Sequence, residues 1–182
     1  GEYDLSIDLP DDVISALHEA ELIPDPYWGR NEYDLRWIAE REWIVSRTVD
    51  LVSPDVSLYL AGLDTVTEVR VNGQLVLETQ NAHRRYSVDL STVAVSGENA
   101  IEIRFLSSVA EGAKRHAAQP FPVPHHARNS PIPHGNMLRK PQCDFGWDWN
   151  IALASVGAYG RMMIAPNAAP RLRDVRVTQA FQ

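Results

Sequence analysis

The segment Thr67–Thr79, TEVRVNGQLVLET, reads as two short strands around a two-residue turn. Asn72-Gly73 is a pair that tolerates positive φ at both central positions, and β-branched or aliphatic residues flank it. A hairpin of this kind implies an antiparallel sheet, and the chain on both sides supplies further strands. Upstream, Trp43, Val45 and Arg47 alternate with Ile44, Ser46 and Thr48, and Val56–Leu60 forms a second β-rich run. Downstream, Arg85–Leu90 reads as a strand. Gly97-Glu98-Asn99 then turns the chain into a run where Ile101, Ile103 and Phe105 point one way and Glu102 and Arg104 the other. Strand character returns at Ile151–Val156 and Arg161–Ile164. Closely spaced strands with turn signals between them predict an all-β antiparallel sandwich.

Helical signals are few. Asp11 and Asp12 precede Val13, Ile14, Leu17, Ala20 and Leu22 at helical spacing, and a carboxylate there can cap the first turn. Pro24 and Pro26 stop it, so the spacing predicts a short helix near Val13–Glu21. A second is expected over Val109–Gln119. The segment from Gln119 to Gln142 then holds six of the 12 prolines, together with His125, His126 and His134. A loop of that length inside a compact domain is usually functional or disordered. Pro166–Pro170 reads as a linker, and Arg171–Thr178 as a new strand.

Composition narrows the function classes. The chain has 182 residues, 45% of them apolar, enough to bury a core for one domain. A net charge of −7 disfavours non-specific nucleic-acid binding. No apolar run is long enough to span a membrane, and the acidic start GEYDLSIDLPDD lacks the basic and apolar regions of a signal peptide. A cytoplasmic location is the corresponding expectation. Cys143 is the only cysteine, which excludes an internal disulfide and a cysteine-rich zinc site. His125 and His126 are adjacent and point apart, and no helical His spacing of a metal site occurs, so neither metal nor cofactor is expected.

The stretch richest in chemistry is Lys140–Asn150, KPQCDFGWDWN, with two of the five tryptophans flanking Asp148. An indole wall beside a carboxylate suits a sugar ring, whose C–H face packs on the aromatic while its hydroxyls donate to the oxygens. The competing reading is a strand with one tryptophan in the core and the other at the rim. Alternation along a strand would send Trp147 and Trp149 to one face and Asp148 to the other. Asp144 and Asp148 could share a surface, but nothing nearby marks either as an acid for glycoside hydrolysis. Catalytic residues are therefore not expected on this chain.

These residues resemble the N-terminal domain of the family 2 β-mannosidases. The likeness runs through LIPDPYWGRNE from Leu22, LRWI from Leu35, GLDT from Gly62, VNG at Val71, RRY at Arg84, GEN at Gly97 and AQP at Ala118. It ends in RKPQC from Arg139 and FGWDW from Phe145. The opening PDPYWG and the RKPQCDFGWDW segment are the parts closest to the mannosidase branch, while the hairpins are shared with β-galactosidases and β-glucuronidases. The resemblance implies a jelly-roll β-sandwich of the galactose-binding type over residues 1–166. Residues 167–182 would then be a linker and the first strand of a following immunoglobulin-like domain. It further implies a downstream (β/α)8 barrel bearing two catalytic glutamates, and a β-mannoside as substrate. Trp147 and Asp148 fall on the Trp-Asp pair of a loop that reaches the terminal sugar. Three positions depart from the family pattern. Asp11 stands where a glycine is usual, Asp144 where histidine or another polar residue is common, and Asn150-Ile151 replaces a Gly-Pro. The rival expectations are a stand-alone carbohydrate-binding module, the equivalent domain of a β-galactosidase or exo-glucosaminidase, and a purely structural interaction domain.

Overall fold

A computed structural model of the chain describes residues 3–125, 128, 130–170, 172 and 175–180. Among the described residues twelve strands and three α-helices follow in order. They are β1 (Asp11–Asp12), α1 (Val13–Glu19), α2 (Asn31–Leu35), β2 (Trp43–Leu51), β3 (Val56–Leu60), β4 (Leu63–Asp64), β5 (Val66–Val71), β6 (Gln74–Gln80), β7 (Tyr86–Asp89), β8 (Gly97–Phe105), α3 (Ser108–Ala117), β9 (Phe145–Trp147), β10 (Asn150–Ala152), β11 (Gly157–Ala158) and β12 (Met162–Pro166).

The expected hairpin is β5–β6, with Asn72 and Gly73 at φ 50° and 79°. It extends into an antiparallel sheet ordered β2-β8-β5-β6, opposite a second sheet ordered β12-β3-β7. Their facing sides make the core. Val69, Val71, Ile103 and Phe105 from one sheet meet Val56, Leu58 and Leu60 from the other, all buried. This is the predicted all-β sandwich, and the period-two pattern is what lets each strand present one apolar side.

Helix α1 closes one end. Asp12 caps it by accepting from the backbone N–H groups of Ile14 at 2.8 Å and Ser15 at 3.2 Å, and Leu17 is fully buried. A three-stranded ribbon, β1-β11-β4, joins that cap to the sandwich. Gly157 sits where β1 and β11 touch, and any side chain there would collide with the Asp11 carbonyl and the Asp12 backbone. Pro166 is the last residue of β12, paired with Val56. Just beyond it, Asn167 donates to Asp55 and Asp89 at 2.8 and 3.0 Å. In the stretch read as a further strand, Arg171, Arg173 and Asp174 lie outside the described residues. The described residues there form no ladder, and Leu172, Val175 and Val177 are exposed. No helix among the described residues is long and apolar enough to cross a membrane.

Candidate functional site

Trp147, Asp148 and Trp149 lie at the tip of a small hairpin. Strands β9 and β10 pair Phe145 with Ala152 and Trp147 with Asn150, which leaves Asp148-Trp149 as the two-residue connection. Gly146 adopts φ 107°, a left-handed conformation that β9 needs in order to enter this turn. Trp147 is 43% exposed and Trp149 69%, and Asp148 is exposed between them. This corrects the reading that places one tryptophan in the core. Parity counted along a continuous strand also fails here, because the chain reverses between Trp147 and Asn150. The projecting tip therefore carries two aromatic faces and a carboxylate free to accept hydrogen bonds.

The base of the hairpin is as fixed as its tip is open. Phe145 is buried against Gly135, where a Cβ would overlap its ring. The Ala152 N–H donates to the Glu32 carboxylate on α2 at 3.1 Å. Asn150 donates through Nδ2 to the Cys143 carbonyl at 2.9 Å, so the residue that departs from the family pattern closes the hairpin through its side chain. The Asp144 carbonyl accepts from the N–H groups of Leu153 and Ala154 at 3.2 and 2.7 Å.

Beneath the base is a buried ion cluster. Lys140 has a fully buried side chain whose Nζ lies 3.2 Å from Asp64 Oδ2 and 3.1 Å from Asp144 Oδ2. It also donates to the Ser155 carbonyl at 2.6 Å. The Ser155 hydroxyl in turn donates to Asp12 at 2.6 Å, which links the cluster to the cap of α1. Asp64 accepts from the Thr65 hydroxyl, and its pKa is pushed up to about 6 by burial, against the pull of Lys140. A perturbed carboxyl in a cleft is a standard candidate for acid–base chemistry. Here both Asp64 oxygens are engaged by neighbouring side chains, so its role is structural.

That shift has a pH consequence. A carboxyl whose folded pKa is raised favours the folded state below its ordinary pKa, and the benefit is lost as pH climbs through the folded value. In Asp64→Asn nothing titrates at this position. The melting temperature of the variant minus that of the parent should therefore rise between about pH 5 and about pH 7.5. Paired thermal melts at the two pH values measure it, and a constant difference would mean that Asp64 is not perturbed.

Other expected groups fall elsewhere. His134 stacks on His116 of α3 and His125 lies beside it, and His126 lies outside the described residues. Among the described residues no set of three or more metal-ligating groups is gathered. Cys143 is half-buried, and its thiol lies 3.9 Å from Asp144 Oδ1. Sequence reasoning missed Lys140, Asp64 and Glu32 as the supports of the hairpin. The one available signal was compositional, because Lys140 is one of two lysines beside 15 arginines. A buried arginine fork would not fit between two carboxylates and one carbonyl in the way a compact ammonium does.

Beside the hairpin runs an open groove of about 320 Å³, lined by Asp25, Tyr27, Asp144, Asn150 and Ile151 among others. Tyr27, which lines it, is 75% exposed.

Comparison with known proteins gives this geometry a family. A β-mannosidase of Bos taurus is 36% identical over 173 residues, which is 87% of this chain and 19% of that protein. β-Mannosidase A of Emericella nidulans is 35% identical over 158 residues, 83% of this chain and 17% of that protein. The crystal structure of a β-D-mannosidase from Dictyoglomus thermophilum superposes with a TM-score of 0.79 at 27% identity, covering 88% of this chain and 20% of that one. The chain thus spans about a fifth of the length of the relatives it matches. The sequence profile described as glycosyl hydrolase 2 galactose-binding domain-like matches residues 2–160, and this chain belongs to that family.

Proposed function

We propose that the chain is the non-catalytic N-terminal domain of a β-mannosidase-like retaining exo-glycosidase, and that its hairpin tip forms part of the pocket for the terminal sugar. The observation that carries this reading is the tip itself. Trp147, Asp148 and Trp149 project from a rigidly anchored base, and such a base is what a substrate-positioning group requires. In this role Trp147 walls the sugar ring and Asp148 accepts from its hydroxyls. The acid and nucleophile that a retaining mechanism needs, about 5 Å apart, are assigned to the remainder of the protein. On this chain Asp144 and Asp64 are both committed to Lys140.

The test compares the chain alone with the full-length protein on aryl glycosides. The chain alone should leave an aryl β-mannoside at the uncatalysed rate. The full-length protein should cleave it with retention, and faster than the matching β-galactoside or β-glucosaminide. Turnover by the chain alone that survives repurification, or a full-length preference for either other sugar, would overturn the assignment.

A further inference from the structure

The proline-rich loop is held to α3 by imidazole rings. The His134 ring stacks on His116 with centroids 4.2 Å apart and planes inclined by 30°. His125 lies at its edge, 5.8 Å away and tilted by 52°. Nδ1 of both His116 and His134 is buried, and neither has a hydrogen-bond partner among the described residues. The contact is close at the backbone too, since a Cβ on Gly112 of α3 would lie 2.9 Å from the His134 carbonyl oxygen. His134 itself takes the left-handed conformation, φ 64°, and its carbonyl accepts from the Met137 N–H at 3.0 Å. Stacked rings do not turn their lone pairs toward one point, so the arrangement does not suit a shared metal ion.

Stacking of this kind suits neutral imidazoles. A second proton on the His134 ring would place a cation against its neighbour in a site that, among the described residues, offers no free carboxylate. The one carboxylate on α3 is already taken, since Glu111 pairs with Lys114 at 3.3 Å and Arg115 at 3.7 Å. Burial holds the His134 imidazole below its ordinary range, and His116 and His125 add to the effect.

We infer that the His116–His134 stack, with His125 beside it, is a pH-sensitive clasp that keeps the proline-rich loop docked on α3. The direction follows from linkage. A histidine whose pKa is depressed in the docked state binds its proton more readily once released. Docking is therefore favoured above about pH 6.5 and weakens as pH falls below it. The consequence reaches the hairpin, because the loop backs it directly. Ser130 Oγ donates to the Gly146 carbonyl at 3.3 Å, and the Ile132 N–H donates to the Phe145 carbonyl at 3.4 Å. Acidification should loosen the platform under Trp147 and Asp148.

The clasp is measurable on this chain without any substrate, so its failure is separate from failure of the sugar reading. Hydrogen exchange, corrected for intrinsic rates, should show protection in residues 130–142 falling severalfold, up to about tenfold, from pH 7.5 to pH 5.5. Protection in β5 and β8 should hold. In the double variant His116→Phe/His134→Asn a flat ring replaces one partner, and a residue tolerant of the left-handed backbone replaces the other. Its loop protection should be independent of pH over the same range. NMR titration of the unmodified chain should place the His134 midpoint below about 6.5. Loop protection that does not change with pH in the parent, or that changes equally in the double variant, would overturn the clasp. So would a His134 midpoint at or above the ordinary value, even if the double variant fails to fold.

Discussion

Replacing Lys140 by Met is expected to cost about 3–5 kcal/mol of stability, the scale found when one partner of a buried ion pair is removed. For a domain of this size that lowers Tm by roughly 6–20 °C. Met keeps most of the volume, so the loss is electrostatic rather than a packing defect. Without the ammonium, Asp64 and Asp144 face each other uncompensated, and the Ser155 carbonyl loses its donor. The double variant Lys140→Met/Asp64→Asn should recover part of the loss, because one of the two stranded carboxylates is then neutral. Thermal melts of the three proteins measure both effects. A single variant melting within about 2 °C of the parent would show that the cluster does not anchor the hairpin. Exchange at 145–152 adds a local readout, since those residues hang from Asp144 and should open before the β5–β8 core does.

Most of the longer strands were readable in advance, and the reasons are local. Asn72-Gly73 encodes its own turn, and the alternation in 101–105 encodes which side of β8 is buried. Long-range supports left no such trace. Glu32 reaches the Ala152 N–H across 120 residues, and Lys140 meets Asp64 only because β4 and the base of β9 are brought together by the fold. The tip was misjudged for a specific reason. Asp-Trp is not a favoured pair for a two-residue turn, so the run FGWDWN looks like an unbroken strand unless Gly146 is weighted as a break. Once the reversal is placed at Asp148-Trp149, the aromatic positions no longer obey a single parity. Asn150, read as a departure from the family, proves to close the hairpin with a hydrogen bond. The family resemblance points to Trp147 and Asp148, whereas the geometry shows what holds the hairpin that carries them.

The second large effect concerns Asp148 in the full-length protein, and it rests on the sugar-pocket reading. A carboxylate that accepts from hydroxyls of the terminal sugar gains strength as the ring distorts toward the transition state. Truncation to Ala would leave those hydroxyls without an acceptor in a closed pocket. The expected loss is about 2–4 kcal/mol in transition-state binding, or roughly 30- to 1,000-fold in kcat/KM. Stability should change by less than about 0.5 kcal/mol, because the side chain is exposed at a turn and holds up nothing beneath it. The same exposure changes the expectation for Trp149. With 69% of its surface open, Trp149→Phe should barely move the melting temperature of the chain. Any kinetic effect of that variant then reports contact with substrate or with a neighbouring domain rather than core packing. Kinetics and melts of both variants separate the roles. Near-normal kcat/KM in Asp148→Ala would remove the carboxylate from the pocket. If Trp149→Phe alone then lost activity at unchanged stability, the working face of the tip would be Trp149.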